Sequence, residues 1–214
     1  MSLWNKFRKK TDGLNRSKNE EMARNTSIPP LHHDLKTNLN RIKQEVGNSP
    51  DVVIREFAIG SPQVQVAVVF IDNMIDKKLV DDFVMRSLMI DIAGETFRNK
   101  AADKNVFDFI KDNALAIGEI KVTKDWNGLM LSILSGDTVI LVNGWAKAIN
   151  GNTRGGKSRS VEEPSSQVVI RGPKEGFTES IGTNVSLVRR RIKSPNLWME
   201  GMKIGNVTQT DVVI

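Results

Sequence analysis

A run of eight residues from Gly151 to Ser158 has the spacing of a phosphate-binding loop: glycine, four residues, glycine, lysine and serine. In such a loop the backbone amides wrap a phosphate at a helix N-terminus, Lys157 contacts the terminal phosphates and Ser158 binds magnesium. Pro164 follows closely and would break the required helix, and no later strand supplies an obvious second carboxylate for magnesium. The sequence therefore favours a flexible connection between strands, and we expect no cofactor.

Other catalytic groups are hard to assemble from this composition. The chain has no cysteine, and its two histidines, His32 and His33, are adjacent. Adjacent side chains on a helix point about 100° apart, so this pair is a poor basis for a metal site. A nucleophile, a base and a group that orients the base cannot be picked out either, and the carboxylates show no paired spacing. We predict no metal site, and these residues point to no particular catalytic reaction.

Positive charge is the more informative feature of the sequence. The formal net charge is +6, and three consecutive arginines, Arg189 to Arg191, occupy the last turn of a predicted helix, where cations complement the helix dipole. Two interpretations remain open: a solvated helix end, or a contact with an anionic partner such as a phosphate group or an acidic neighbouring subunit. No aromatic stacking pattern or DNA-binding motif accompanies the charge, so nucleic acid is not an expected partner.

The arginines belong to a predicted strand, turn and helix between residues 168 and 195. Residues 168–170 are an apolar strand, and the turn that follows contains Gly172 and Pro173. A helix is predicted to begin at Thr178, which we expect to be its cap, and to stop before Ser194 and Pro195. Its apolar positions have the spacing of one helix face: Ile181, Val185, Val188 and Ile192.

Strands and helices alternate along the rest of the chain. The predicted helices cover 33–46, 77–89, 106–111 and a segment that begins near Thr123; the predicted strands cover 52–58, 63–71, 115–122, 138–142, 145–149, 198–204 and 207–214. We expect Gly47 to end the first helix and Asp76 to be the N-cap of the second. Asn143 and Gly144 predict a tight hairpin.

This pattern predicts a mixed α/β (α+β) fold with two small subdomains, each a mixed β-sheet packed with helices. Residues 1–31 are predicted to be a disordered basic tail, residues 32–122 the N-terminal subdomain and residues 123–214 the C-terminal subdomain. The last predicted strand stops on apolar β-formers, so we expect a fragment of a longer protein.

The segment from Val169 to Pro195 is similar to the signature of a known family. It reads VIRGPKEGFTES and, after two residues, TNVSLVRRRIKSP. This resembles the pattern V-R-G-P-R-E-G-F-T-E-S followed by N-x-S-L-I-R-R-R-I-K in the A subunits of GerA-type spore germinant receptors. The resemblance covers roughly residues 35–214, the N-terminal soluble part of such a subunit. A membrane domain follows this part in the family, so the resemblance implies a fragment that ends before a membrane domain. Departures are small, with Lys174 where arginine is commoner and Gly182 where a larger residue is usual.

The resemblance implies a component of the inner membrane of a dormant Bacillus-type spore, with this domain on the cytosolic or core side. Such A subunits work with a transporter-like B subunit and a lipoprotein C subunit. Small nutrients trigger germination through the complex, beginning with ion release. The resemblance also implies a homo-oligomer of the full-length protein, a contact with the anionic inner membrane surface and no enzymatic activity.

Under this interpretation the domain assembles receptor subunits and couples nutrient sensing to the membrane domain. The candidate interaction and coupling residues are Arg171, Gly172, Pro173, Glu175, Gly176, Phe177, Thr178, Glu179, Asn184, Arg189, Arg190 and Arg191. The alternative is a germinant-binding module that holds a small nutrient in the cleft between the two subdomains.

Overall fold

The structure is a computed structural model that describes residues 29–59, 63–84, 88, 106–113, 119–155 and 176–214. An antiparallel sheet organises this part of the chain. The helices are α1 (Leu35–Glu45), α2 (Lys77–Val84), α3 (Val106–Asn113), α4 (Trp126–Leu134) and α5 (Ile181–Arg191). The strands are β1 (Val52–Ile59), β2 (Val64–Ile71), β3 (Ile120–Thr123), β4 (Thr138–Val142), β5 (Ala148–Gly151), β6 (Gly201–Ile204) and β7 (Thr210–Val213).

Five of these strands form one sheet in the order β1-β2-β4-β5-β3, with antiparallel pairing throughout. The register places Val53 opposite Phe70 in the first pair and Val68 opposite Ile140 in the second. Strands β6 and β7 make a separate antiparallel pair. The predicted mixed α/β class is therefore confirmed.

The arrangement of the strands differs from the expectation of a separate mixed sheet in each half. Strands β4 and β5 come from the predicted C-terminal half, yet they lie between β2 and β3 of the N-terminal half. The reason is burial, since every residue of β4 is buried and such a strand needs hydrogen-bonded neighbours on both edges. The predicted boundary near Val122 consequently falls inside one sheet, where Val122 pairs with Ile149.

Helices cover both faces of this sheet, because side chains alternate between the two faces along each strand. On one face α1 and α4 pack on β-strand residues such as Val69 and Leu141. On the other face α2 and α3 pack on residues such as Val68 and Ile140. The result is three layers with a hydrophobic core on each side of the sheet.

Two predicted helix ends are confirmed in detail. The Asp76 carboxylate accepts hydrogen bonds from the backbone N–H of Lys78 and of Leu79, at 2.9 and 3.3 Å, and so caps α2. Gly47 follows α1 with φ +60°, and its N–H donates to the Gln44 carbonyl. The next N–H, of Asn48, donates to the Lys43 carbonyl, which completes a Schellman motif.

The predicted tight hairpin at Asn143 and Gly144 is wrong in its length. Leu141 pairs with Ala148, so β5 begins later than predicted and residues 143–147 form the connection. Asn143 is occupied elsewhere: its N–H donates to the Gln65 carbonyl and its side-chain oxygen accepts from the Leu35 N–H. These bonds join the turn to β2 and to the start of α1.

Several predicted features lie outside the described residues. These are the basic tail up to residue 28, the segment 85–87 with 89 in the second predicted helix, the first part of the strand predicted at 115–122, and the strand at 168–170. Across the ranges that the structure does describe, no helix has the length and apolar character needed to cross a membrane.

Candidate functional site

The candidate residues divide into two groups in the structure. Four of them (Arg171, Gly172, Pro173 and Glu175) lie outside the described residues. The others lie on α5 or in the extended segment that precedes it. Among these, Phe177 is largely exposed, whereas Arg189 has no exposed surface.

The start of α5 differs from the prediction. Ser180, and not Thr178, is the N-cap, because its backbone is extended and its Oγ accepts a hydrogen bond from the Thr183 N–H at 3.3 Å. Thr178 is held by Asn184 instead. The Asn184 amide accepts from the Thr178 N–H and donates to the Thr178 carbonyl, both at 2.7 Å. Asn184 therefore fixes the preceding segment against the helix.

The buried face of α5 is also different from the predicted apolar stripe. Ser186 and Arg189 are its most buried residues, and Ile192, predicted to face the core, is 48% exposed. A charged side chain can occupy such a position only if its charge is neutralised and its donors are satisfied. The contacts of Arg189 meet both conditions.

Arg189 forms a bidentate ion pair with Asp51, which lies just before β1. Its Nε is 2.7 Å from one carboxylate oxygen, and its Nη2 is 3.0 Å from the other. This is the fork geometry that gives arginine–carboxylate pairs both strength and direction. The pair joins two parts of the chain that are 138 residues apart.

Further hydrogen bonds extend this pair into a network. Ser49 Oγ donates to Asp51 at 2.6 Å and accepts from Arg189 Nη2 and from the Met199 N–H. Arg189 Nη1 donates to the Leu197 carbonyl. We call Ser49, Asp51, Arg189, Leu197 and Met199 the Arg189 network. It ties α5 and the segment after it to the loop between α1 and β1.

Trp198 makes a second contact with the end of α1. Its indole N–H donates to the Glu45 carbonyl at 3.2 Å, and its ring lies directly against Gly47. A Cβ at position 47 would overlap the Trp198 ring, so only glycine fits both this packing and the φ of +60°. Trp198 remains 51% exposed, so half of its surface is available to a partner.

Gly182 brings the first turn of α5 against the loop after β2. A Cβ at this position would approach the Asn73 side-chain nitrogen to 2.8 Å. Asn73 itself has φ +63°, a left-handed conformation that asparagine tolerates better than most residues. The two residues together allow α5 to approach this loop closely.

The other two arginines of the triplet point elsewhere. Arg190 is exposed, and its Nη2 donates to the Gly155 carbonyl at 2.6 Å. Arg191 is exposed as well. Of the three arginines, Arg189 therefore directs its charge inward, while Arg190 and Arg191 retain surface that an anionic partner can reach.

The first residues of the phosphate-loop pattern are extended backbone. Gly151 ends β5, and Arg154 bridges Ile75. The N–H of Asn152 donates to the Glu119 carbonyl and that of Gly155 to the Met74 carbonyl, so these amides are not available to a phosphate. Residues 151–155, the part of the pattern that the structure describes, therefore do not form a phosphate-binding loop.

Arg154, inside that pattern, makes an ion pair of its own. Its Nε and Nη2 lie 2.7 and 3.0 Å from the two oxygens of Asp137. The hydrogen bond to Asp137 and the charge of that carboxylate raise the pKa of the Arg154 guanidinium, against the opposing effect of burial. Arg154 thus fastens the segment after β5 to the start of β4.

The histidines have structural contacts. The His32 ring nitrogen Nδ1 accepts from the Asp34 N–H at 2.9 Å, and His33 Nδ1 lies 3.2 Å from the Gly144 carbonyl. Among the described residues there is no group of three or more histidine, cysteine or acidic side chains placed to hold a metal ion.

Sequence reasoning missed the partners of Arg189. Asp51 follows a proline between a helix and a strand, a position typical of a turn, and Ser49 lies in the same turn. The sequence predicts a strand from Trp198 onward, whereas β6 begins at Gly201. No local pattern connects these residues to Arg189, since their pairing is a property of the tertiary fold.

The fold and these contacts define a class: a three-layer α/β domain with a C-terminal helix and hairpin fastened to its body by a buried ion pair. The model of the Bacillus/Clostridium GerA spore germination protein family matches residues 40–214. The chain therefore belongs to the GerA spore germination protein family.

Individual relatives agree with this assignment. Spore germination protein KA of Bacillus subtilis is 38% identical over 196 residues, which is 91% of this chain and 34% of that protein. Spore germination protein GerLA of Bacillus cereus is 33% identical over 82% of this chain and 34% of its own length. The chain thus spans about a third of the length of these curated relatives.

A solved structure has the same fold. It is the N-terminal domain of the A subunit of the Bacillus megaterium spore germinant receptor GerK3, with a TM-score of 0.69 and 35% sequence identity. The match covers 87% of this chain and 66% of the other. The predicted resemblance to germinant receptor A subunits is confirmed.

Proposed function

We propose that this chain is the N-terminal domain of a spore germinant receptor A subunit and that it acts in spore germination without catalysing a reaction. The support is the family match over residues 40–214 together with the fold shared with the GerK3 N-terminal domain. In this role the domain assembles receptor subunits and couples nutrient sensing to a membrane domain and to ion release.

The observation that carries the coupling role is the Arg189 network. Residues 192–200 connect α5 to the hairpin, and Leu197 and Met199 in this segment belong to the network. Strand β6 begins at Gly201, immediately after this segment. A displacement of the β6–β7 hairpin would therefore act on Arg189 and, through Asp51, on the start of β1.

The exposed side of this C-terminal region supports a role in contacts with partners. Strand β6 is exposed along its whole length and β7 is exposed in its first half and partly buried in its second, although an isolated two-stranded pair is marginally stable in water. Large apolar side chains are exposed here: Ile192, Trp198, Met202, Ile204, Val207 and Ile214. Such surface is typical of an interaction site. We assign it to the assembly with B and C subunits, with further copies of the A subunit and with the anionic inner membrane surface on the core side.

The test uses spores that carry the full-length receptor with Arg189→Met. We expect the response to the nutrient to be lost or strongly reduced, because Asp51 loses its partner and α5 is no longer fastened. Germination by membrane-disrupting agents should persist. Lys193→Ala is the matched control, since it removes an exposed cation two residues after α5. A normal nutrient response of Arg189→Met spores with a wild-type amount of receptor would contradict the coupling role.

The alternative function is germinant binding in a cleft between two subdomains. Strands from both predicted halves share one sheet, and one cavity lined by described residues lies within the N-terminal half.

A further inference from the structure

One face of the β6–β7 hairpin is apolar and open to solvent. Met202 lies opposite Val212 and Ile204 opposite Thr210, and residues opposite each other in an antiparallel pair project to the same face. Met202 and Ile204 are 42% and 54% exposed, and Ile214, two residues after Val212 and so on the same face, is 67% exposed. Such a contiguous apolar surface is typical of a site that binds another body.

The opposite face of the hairpin is polar. Lys203 and Asp211 lie opposite each other on it, with their charged groups 3.6 Å apart. Val207, which is 94% exposed, lies in the turn between the two strands. The hairpin is therefore amphipathic, and an amphipathic element can lie in the interface of a bilayer with its apolar face toward the acyl chains.

The segment before the hairpin adds an aromatic ring and positive charge. Trp198 is 51% exposed and lies three residues before β6, and tryptophan is enriched at membrane–water interfaces because its ring is amphipathic. Ile192 is 48% exposed and lies between Arg191 and Lys193, which are exposed cations. Apolar side chains interspersed with cations are the composition that binds an anionic lipid surface.

The basic tail joins the described part of the chain beside Trp198. The Pro29 carbonyl accepts from the Trp126 N–H at 2.8 Å, and the Trp126 indole donates to the Glu45 carboxylate at 2.8 Å. The Trp198 indole donates to the carbonyl of the same Glu45 at 3.2 Å. Residues 1–28 contain seven lysines and arginines but three acidic residues, which is most of the net charge of +6. The tail and the Trp198 segment therefore both leave from the C-terminal end of α1.

We propose that this end of the domain binds the surface of a bilayer that contains anionic lipid. The apolar hairpin face and Trp198 lie in the bilayer interface, and the basic tail contacts the lipid phosphates. Charge favours this occupant over a second copy of the chain, which would bring the same net charge of +6 to the contact. An anionic bilayer instead attracts basic segments. The inference deepens the membrane contact of the proposed function and rests on that part of it.

The experiment is co-sedimentation of the 214-residue chain with vesicles of phosphatidylglycerol and phosphatidylcholine in equal parts, compared with phosphatidylcholine alone. We expect about tenfold or stronger preference for the anionic vesicles, because several cations contribute. This preference should fall steeply between about 0.1 M and about 0.5 M salt, which screens the charges. Equal binding to both kinds of vesicle, or no binding to the anionic ones, would overturn the inference. Neither result would affect the germination role, which the Arg189→Met spores test separately.

Variants locate the surface. Met202→Ser combined with Ile204→Ser removes the apolar face, and Lys9→Gln combined with Lys10→Gln lowers the charge of the tail. Each pair should weaken binding to anionic vesicles about tenfold. Leu131→Ser is the control, because it removes an apolar side chain that is 58% exposed on α4, and it should leave vesicle binding unchanged. Melting temperatures check that each variant is folded.

The same variants distinguish a bilayer from a second copy of the chain. Light scattering gives the mass of each protein in solution without vesicles. Vesicle binding that survives both pairs of substitutions would refute the assignment. So would a hairpin variant that changes from an oligomer to a monomer while it keeps wild-type vesicle binding, since another copy would then cover the apolar face.

Discussion

Arg189 differs from its two neighbours in what its guanidinium contacts. It is fully buried against Asp51, Ser49 and the Leu197 carbonyl, whereas Arg190 and Arg191 are exposed. A buried ion pair contributes little net stability compared with apolar residues, since both charges must be removed from water. What it supplies is specificity for one arrangement of the two segments, because removal of either partner leaves the other charge buried and unpaired.

This leads to a prediction for a double-mutant cycle on the isolated chain. Arg189→Met and Asp51→Leu should each lower the free energy of unfolding by about 3–5 kcal/mol, because each leaves one buried charge without its partner. The double variant should lose clearly less than the sum of the two single losses. Urea denaturation followed by circular dichroism measures all four proteins.

The control for this cycle is Lys193→Met, which changes an exposed cation two residues after α5. We expect a change within about 0.5 kcal/mol, as for most surface substitutions. Strictly additive losses for Arg189→Met and Asp51→Leu would mean that the two side chains act independently, and the Arg189 network would then have no energetic basis.

At the residue scale, local chemistry was predictable and long-range pairing was not. Asp76 and Gly47 were assigned correctly because a cap depends on a few neighbouring backbone groups. The prediction that Thr178 is the cap is wrong, because Ser180, two residues later, is also of a type that caps helices and occupies that position. Nothing near Arg189 in sequence identifies Asp51 as its partner across 138 residues.

Among the elements, α5 has the most specific attachments. Ser180 caps its first turn, Asn184 holds the segment before it, and Gly182 lets it approach Asn73. Arg189 fastens its last turn. The helix is therefore fixed at both ends, although its apolar residues are only partly buried.

The N-cap of α5 carries its own prediction. Ser180→Ala removes the acceptor of the Thr183 N–H and should lower the free energy of unfolding by about 1 kcal/mol. Thr178→Ala should have a smaller effect, because Asn184 contacts the Thr178 backbone as well as its hydroxyl. Urea denaturation compares the two variants. A larger loss for Thr178→Ala would show that the helix begins where the sequence predicted.

The sequence predicted most strands and helices but not how the strands pair. Alternation and apolar runs are local signals, so β1, β2 and β4 were found close to their observed bounds. The pairing of β2 with β4, for example Val68 with Ile140, follows from the burial of β4, since a buried strand needs a hydrogen-bonded neighbour on each edge. This pairing joins strands of the two predicted halves in one sheet.

On the scale of the whole molecule, residues 176–214 form a C-terminal segment of α5, a connecting loop and the β6–β7 hairpin. Its described contacts with the body include the Arg189 network, Trp198 on Gly47, Gly182 on Asn73 and Arg190 on Gly155. The hairpin itself is exposed. This arrangement supports the proposed coupling role, in which the segment responds to a partner and acts on the sheet.

Hydrogen–deuterium exchange of the Arg189→Met variant tests this account most directly. If the network fastens the C-terminal segment, amides of α5 and of residues 194–200 should exchange much faster than in the wild type. Amides of β2 and β4, which have neighbours on both sides, should keep their protection. Unchanged exchange in α5 and residues 194–200, with the substitution verified, would contradict the central claim that Arg189 holds this segment in place.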